Sequence, residues 1–266
     1  MKAGLVLPQT GDSATRENVL YIAKEAERQG LNSVWVLERL LWPLKPKTPY
    51  GGTPDGTLPV DYQNVLDPLE TLTYVAGNTS QISLGTCLID MLFHNPVVLA
   101  RRFATLDVLS RGRAIAGLGI GWSKDEYEVS GVPYKYRGER ANEFLQLLKR
   151  IWTDDVVEFK GQFYSLPVSK IGPKPVQKPH PPILLGGFSP KTFIRIVNYA
   201  DGCIPYICQH LTYPNVLESS SSSTSSSDEQ RERSPMTGTI DQMELILIES
   251  KQWAQSILYL AIFFLL

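Results

Sequence analysis

Hydrophobic residues recur along the chain in two alternating patterns. Short, nearly continuous apolar runs predict buried β-strands, and the segments between them repeat apolar residues at helical spacing. The predicted strands span 3–8, 33–38, 82–89, 113–120, 183–187 and 201–207. The predicted helices span 13–30, 67–77, 95–109, 138–152 and 189–200. The chain therefore reads as repeated strand–helix units.

Polar residues and prolines mark where these helices begin. Asp67, Asn95 and Ser189 each precede a proline, the arrangement of an N-cap followed by a first-turn proline. Ser13 is expected to cap the first helix. In the third helix the spacing predicts an inward face formed by Val98, Phe103, Leu106 and Leu109.

Repeated strand–helix units predict a parallel sheet with helices outside it. Six units in a chain of 266 residues favour a (β/α)8 barrel, although an open doubly wound sheet fits the same pattern. We expect one domain over 1–266. The barrel is expected to be incomplete, because too few residues separate Ile207 from Leu211 to form a sixth helix. Strand seven is then reduced to a stub around 211–217, and the serine-rich segment 219–233 is expected to be flexible.

The composition of the chain argues against several classes of function. The formal net charge of −1 gives no electrostatic reason to expect nucleic acid. The three cysteines show no metal-type spacing, so we expect no metal site and a reducing cytoplasm. The apolar ending "SILYLAIFFLL" is too short to span a bilayer. A buried strand explains this ending better than a membrane anchor, although an interfacial anchor stays open.

The stretch "AGLGIGW" at 116–122 raises the question of a dinucleotide loop. Such a loop needs a helix that begins at its third glycine, and no helical pattern is found before about residue 138. We therefore reject a nicotinamide loop. Glycines at the end of a barrel strand let the backbone approach a flat ligand closely, or they only relieve crowding against a neighbouring loop. The spacing alone does not choose between these two interpretations.

Several longer motifs resemble the luciferase-like monooxygenase superfamily, including its deazaflavin-dependent members. They are "LGTCLIDMLFHNPVVLARRFATLDVLSRGRAIAGLGIGWSKDEY", "YRGERANEFLQLLKRIW", "GPKPVQKPHPPILLGG" and "ADGCIP", in family order. The resemblance covers 1–207 almost continuously and returns at "PMTGTIDQ". It implies a (β/α)8 barrel that binds reduced FMN or coenzyme F420 at the C-terminal mouth of its strands.

The resemblance also implies positions for the cofactor. A cis peptide bond at Cys87–Leu88 would support the ring, and Glu38 matches an acid that contacts the ring in deazaflavin members. Gly119, Gly121 and Asp125 match a second segment that lines the cofactor. A helix N-terminus attracts anions, so phosphate is expected at four residues of "GGFSPKT". These four are Gly186, Gly187, Ser189 and Thr192. A small buried thiol and an ordinary capped helix are the simpler interpretations of Cys87 and Ser189.

Two positions depart from the family's sugar-phosphate dehydrogenases. Arg39 stands where they have a histidine, and Trp122 stands where they have a glutamate. Without that base and acid, their hydride transfer has no obvious proton acceptor, which argues against that activity. Arg39 is a catalytic candidate that would bind an anion or stabilise negative charge, and a surface ion pair is the alternative.

His94, after the third strand, is the second catalytic candidate, with loop packing as its alternative. Glu126 is expected to pair with Arg137 or Arg140.

These residues predict a flavin- or deazaflavin-dependent oxidoreductase that oxygenates a small organic substrate or exchanges a hydride with it. The 40–66 loop is expected to be the substrate lid. A flavin or F420 reductase would supply the reduced cofactor, and a homodimer is an expected assembly. The alternative is a non-catalytic flavin-binding paralogue with an incomplete barrel.

Overall fold

A parallel sheet of six strands forms the centre of the molecule. The structure, a computed structural model, describes residues 3–187 and 189–204 and the backbone of 245–247 and 249–250. The parallel strands are β1 (Ala3–Val6), β2 (Ser33–Val36), β3 (Ser83–Thr86), β5 (Ala114–Gly119), β8 (Ile183–Gly186) and β9 (Gly202–Ile204). They neighbour one another in chain order, and a two-residue strand β4 (Ile89–Asp90) also pairs with β5. The sheet curls into part of a barrel, which confirms the predicted incomplete (β/α)8 class.

Helices connect successive parallel strands. They are α1 (Arg16–Arg28), α2 (Pro68–Ala76), α3 (Pro96–Leu109), α4 (Lys124–Val129), α5 (Arg137–Thr153) and α6 (Pro190–Tyr199). Asp67, Asn95 and Ser189 cap three of them as predicted. The predicted cap at Ser13 is wrong: Thr15 caps α1, because Ser13 lies in a preceding 3-10 turn.

The predicted inward face of α3 is partly wrong. Val98 is 52% exposed and Leu109 is 57% exposed, whereas Phe103 and Leu106 are buried. Leu99 lies on the buried face instead. Apolar residues occupy most positions of this helix, so spacing alone could not identify the face that packs on the sheet.

A short helix was also missed. The six-residue helix α4 begins at Lys124, where Ser123 Oγ accepts a hydrogen bond of 3.3 Å from the N–H of Glu126. Few of its residues are apolar, so it has no detectable periodicity. It begins beyond Trp122 rather than at Gly121; Gly117 and Gly119 belong to the end of β5, and Gly121 lies in the turn that follows.

A hairpin lies outside the barrel sheet. Its strands, β6 (Val157–Lys160) and β7 (Ser165–Ser169), pair antiparallel between α5 and β8. The Glu143 carboxylate accepts hydrogen bonds from three successive backbone N–H groups of its turn, at 162–164. This carboxylate fixes the hairpin against α5.

The concave side of the sheet is filled by one large indole. Trp35 is fully buried with Leu184 and Ile204, and its Nε1 donates to Ser33 Oγ at 2.8 Å. A Cβ at Gly4 or at Gly85 would lie 2.3 Å from the Trp35 ring. Two glycines on flanking strands therefore create the space that this indole occupies.

The outer parallel strands each pair with a short antiparallel strand from late in the chain. β10 (Leu245–Leu247) pairs with β1, and β11 (Glu249–Ser250) pairs with β9. The predicted absence of a sixth helix, the stub around 211–217 and the flexible segment 219–233 lie outside the described residues. Among the described helices, none has both the length and the apolar character needed to cross a bilayer.

Candidate active site

A cleft of about 480 Å³ opens at the carboxyl ends of the parallel strands. Ligand clefts typically occupy roughly 300–1,000 Å³, and in barrels they lie at this end of the strands. Residues from the ends of β2, β4, β5 and β8 line it, together with residues of the 40–66 loop. The predicted site residues that line it are Glu38, Arg39, Cys87, Leu88, Gly119, Gly121, Gly186 and Gly187.

The floor of the cleft is the break between β3 and β4. The Cys87–Leu88 peptide bond is cis, as predicted. The N–H of Cys87 donates to the carbonyl of Val36 at 2.6 Å, and the N–H of Glu38 donates to the carbonyl of Leu88 at 3.2 Å. Hydrogen bonds on both sides of the break thus join it to the end of β2.

Glycines let this floor approach the neighbouring strands. A Cβ at Gly186 would lie 2.2 Å from Leu88 Cδ1, and a Cβ at Gly119 would lie 2.5 Å from Asp90 Oδ1. Gly121 adopts a φ of 74°, which favours glycine. These glycines therefore relieve crowding against the floor, and close approach of their backbone to a flat ligand stays a prediction.

Glu38 connects the floor to the next loop. Its Oε2 accepts a hydrogen bond of 2.9 Å from the N–H of Asp90, and its Oε1 lies 2.7 Å from His94 Nε2. Glu38 is buried and lines the cleft, whereas His94 is outside the cleft lining. His94 is thus in position to orient Glu38 rather than to meet a ligand itself.

Arg39 extends into the cleft beside an indole. Its guanidinium carbon lies 5.0 Å from the centre of the Trp122 ring, within the range of cation–π attraction. Nη2 lies 2.8 Å from Glu126 Oε1, and both side chains are buried, with 5% and 1% of their surface exposed. Neither Nη2 nor Nε has a partner of good hydrogen-bond geometry among the described residues.

The predicted partners of Glu126 are wrong. Its carboxylate pairs with Arg39, and its Oε1 also accepts a hydrogen bond of 2.9 Å from the N–H of Leu40. Arg137 stacks on an aromatic ring, and Arg140 donates to the carbonyl of Pro133 at 2.9 Å. Burial raises the pKa of Glu126, and the Arg39 charge opposes that rise.

Asp90 is the residue that sequence reasoning missed. It ends β4 and lines the cleft beside Leu88. Burial, and then the nearby charge of Glu38, raise the pKa of Asp90 to about 7. An acidic residue directly after an apolar run, at the carboxyl end of a parallel strand, was the available signal.

The predicted phosphate residues divide into two groups. Gly186 and Gly187 line the cleft, and Ser189 and Thr192 do not. Ser189 Oγ accepts the N–H of Thr192 at 3.1 Å and lies 2.9 Å from its Oγ1. These hydroxyl groups cap α6, and a phosphate at this helix N-terminus stays a prediction.

The 40–66 loop forms the wall opposite the floor. The Tyr50 ring lies 5.4 Å from the Trp122 ring and 6.0 Å from the Tyr62 ring. Asp125 is outside the cleft lining and anchors this loop, since its Oδ2 accepts the N–H of Lys47 at 2.9 Å. The Lys47 ammonium also pairs with Glu128. The cleft therefore has an aromatic wall on one side and the Cys87–Leu88 floor on the other, with Glu38 and Asp90 also in its lining.

In the part of the chain that the structure describes, no group of three or more histidine, cysteine, aspartate or glutamate side chains is arranged to hold a metal ion.

The sequence profile of the luciferase-like monooxygenase family matches residues 1–215. The chain belongs to this family. An uncharacterized protein of Mycobacterium tuberculosis is 38% identical over 184 residues, which cover 68% of this chain and 65% of that protein. An F420-dependent glucose-6-phosphate dehydrogenase of Amycolatopsis mediterranei is 36% identical over 169 residues, which cover 62% of this chain and 46% of the enzyme.

The family assignment agrees with the fold. The crystal structure of the monooxygenase RslO1 from Streptomyces bottropensis superposes with a TM-score of 0.64 at 24% identity, covering 76% of this chain and 59% of that one. This chain thus spans less than two thirds of the length of each of these three relatives.

Proposed function

We propose that the protein is an oxidoreductase that binds coenzyme F420 or reduced FMN in the cleft and acts on a small organic substrate. The observation that carries the proposal is the floor, where the side chain of Leu88 lies directly over Gly186 and beside Gly119, so that a Cβ at Gly186 would displace it. Leu88 Cδ1 lies over both glycines, and a flat ring system would rest on this apolar surface. The name of the Amycolatopsis relative points to F420, and the family resemblance keeps FMN as the alternative.

The residues around the floor have distinct proposed roles. Cys87 and Leu88 support the ring, and Glu38 contacts its polar edge while His94 orients the Glu38 carboxylate. Arg39, which lines the cleft beside Trp122, would stabilise negative charge that develops on a bound ligand through its guanidinium charge. Bound there, F420 would exchange a hydride with the substrate, whereas reduced FMN would activate dioxygen for oxygenation.

The remaining predicted residues hold the outer parts of the ligands. Gly187, Ser189 and Thr192 are proposed to meet the cofactor's phosphate at the N-terminus of α6. Asp125 fixes the 40–66 loop, and the loop's tyrosines would cover the substrate and exclude water. The aromatic wall favours a substrate with an apolar or planar part.

Three further expectations accompany this proposal. A separate F420 or flavin reductase would supply reduced cofactor. A reducing cytoplasm suits a chain whose described cysteines, Cys87 and Cys203, are buried and form no disulfide. A homodimer stays a prediction.

The test is to titrate the purified protein with F420 and with reduced FMN, and then to supply candidate substrates to the complex that forms. Saturable binding with substrate-dependent cofactor oxidation or reduction would support an enzyme. Saturable binding without turnover of any substrate would favour the alternative, a non-catalytic flavin-binding paralogue. Binding of neither cofactor would contradict both.

A further inference from the structure

Hydride transfer from an alcohol also releases a proton, and the cleft must accept it. When a C–H bond gives its hydride to an acceptor, the substrate oxygen must lose its proton to form the carbonyl. The positions that carry a histidine and a glutamate in the family's sugar-phosphate dehydrogenases are Arg39 and Trp122 here. A guanidinium does not release its proton in proteins, and an indole N–H only donates. Another group must therefore act as the base.

Two of the nearby carboxylates are already committed to other contacts. Glu38 accepts the N–H of Asp90 and contacts His94, so both of its oxygens hold the floor. Glu126 is buried, pairs with Arg39 and accepts a backbone N–H, and it does not line the cleft. Protonating either one would break contacts that hold this end of the barrel together.

Asp90 differs from both of them in its position. Its side chain lines the cleft at the end of β4, two residues beyond Leu88. Its Oδ1 projects over Gly119, where a Cβ would approach it to 2.5 Å. The carboxyl group therefore lies beside Leu88 at the edge of the floor, next to a ring held on Leu88 rather than beneath it, where an oxygen at the rim of the ring can meet it.

The surroundings of Asp90 allow its side chain to be a neutral carboxyl group before it releases a proton and a carboxylate afterwards. Burial and the charges of Glu38 and Glu126 raise its pKa, whereas the charge of Arg39 and the backbone N–H of Gly121 lower it, and the balance is about 7. The titratable and charged groups around it are Glu38 after β2, Arg39 in the following loop, Glu126 and Tyr127 in α4, and His94 through Glu38.

We propose that Asp90 exchanges a proton with the hydroxyl or carbonyl oxygen of the substrate. The inference rests on the proposed function in its hydride-transfer form. In the oxidative direction the substrate C–H bond breaks and its electron pair leaves as hydride to oxidised F420. The O–H bond breaks, the C=O bond forms, and the hydroxyl proton passes to the Asp90 carboxylate. Asp90 then releases this proton to solvent through the open cleft.

The first experiment observes the carboxyl group itself. Infrared difference spectra are recorded across a pH titration of the wild-type protein, Asp90→Asn and the surface control Asp155→Asn. We expect a carboxylic acid C=O band that disappears with a midpoint near pH 7 in the wild type and in the control, and that is absent from Asp90→Asn. A wild-type spectrum without this band, or an unchanged band in Asp90→Asn, would overturn the proposal.

The second experiment measures the reaction with F420 and two probe substrates, propan-2-ol and cyclohexanol. Asp90→Asn should still bind F420 saturably but turn over about 100-fold or more slowly at saturating F420, and its rate should lose the wild-type rise through neutral pH. An unchanged rate and pH profile in Asp90→Asn would overturn the inference and leave the proposed function standing. A wild-type protein that binds F420 and oxidises neither alcohol would also count against the inference. If the wild type binds neither F420 nor FMN, the proposed function itself fails.

Discussion

The backbone N–H of Asp90 donates a hydrogen bond of 2.9 Å to Oε2 of Glu38, 52 positions earlier in the chain. The other oxygen of that carboxylate lies 2.7 Å from His94 Nε2. One buried acid after β2 therefore holds both the floor of the cleft and the loop that follows it. The shape of the floor depends on Glu38 as much as on the residues that form it.

Glu38→Gln should weaken the contacts that join the floor of the cleft to the loop that carries His94. An amide keeps one acceptor oxygen for the N–H of Asp90 and places an uncharged N–H₂ group beside His94 Nε2, so the charge-assisted hydrogen bonds of the carboxylate become weaker neutral ones. We expect the free energy of unfolding to fall by about 1–3 kcal/mol, measured by urea denaturation. Glu158→Gln, at an exposed position of β6, is the matched control and should change little. Equal effects of the two substitutions would argue against a positioning role for Glu38.

Trp35→Ala should destabilise the incomplete barrel strongly. The indole fills the concave side of the sheet between Gly4 and Gly85, and no neighbouring side chain extends from these glycines to fill the resulting cavity. We expect a loss of about 3–5 kcal/mol in the free energy of unfolding. Tyr21→Ala, at a 42% exposed aromatic residue, is the control. A cost for Trp35→Ala no larger than that of the control would mean that this indole does not support the sheet.

Asp90 should make stability depend on pH in the direction opposite to that of most acids. Its pKa is raised to about 7 in the folded protein, so the folded state binds more protons than the unfolded state between the two pKa values. The stability that the protonated Asp90 side chain contributes to the folded state is complete below the unfolded pKa of about 4. It is lost as the pH rises through about 7.

Asp90→Asn removes this dependence. Thermal melts should find the variant more stable than the wild type above pH 7, with the difference vanishing toward pH about 4. A stability difference between variant and wild type that stays constant from pH about 4 to above pH 7 would refute the raised pKa.

The order of strands and helices follows from the sequence because each unit repeats a local pattern. The buried runs of β2, β5 and β8 and the proline-marked starts of α2, α3 and α6 depend on neighbouring residues alone. The family resemblance added the Cys87–Leu88 bond, which no local pattern predicts.

The parts that sequence reasoning missed depend on long-range contacts. The carboxylate of Glu126 meets the N–H of Leu40 across 86 positions, so its pairing with Arg39 rather than Arg137 appears only once the sheet has folded. Asp90 is inconspicuous in the sequence for the same reason, since its burial and its charged neighbours come from three different segments.

Asp125→Ala should loosen the 40–66 loop without altering the floor. The substitution leaves the N–H of Lys47 without its 2.9 Å acceptor at the edge of the cleft. Hydrogen–deuterium exchange should become faster in peptides covering 45–52 and stay unchanged in peptides covering β3 and β4. Asp155→Ala is the surface control. Unchanged exchange over 45–52 would mean that this contact does not hold the loop.

The central claim is that a flat cofactor binds against the floor formed by Cys87 and Leu88, and calorimetric titration with F420 and with FMN tests it most directly. The wild type should bind at least one of them saturably.

In Gly186→Val the Cβ of the new side chain would lie 2.2 Å from Leu88 Cδ1, so the floor must shift. Binding should weaken by roughly tenfold or more, which corresponds to an overpacking cost of about 1–3 kcal/mol. The control Gly77→Ala, where a Cβ meets only ordinary contacts of 3.8 Å and beyond, should bind like the wild type. Wild-type affinity in a folded Gly186→Val protein, or no binding of either cofactor to the wild type, would contradict the account.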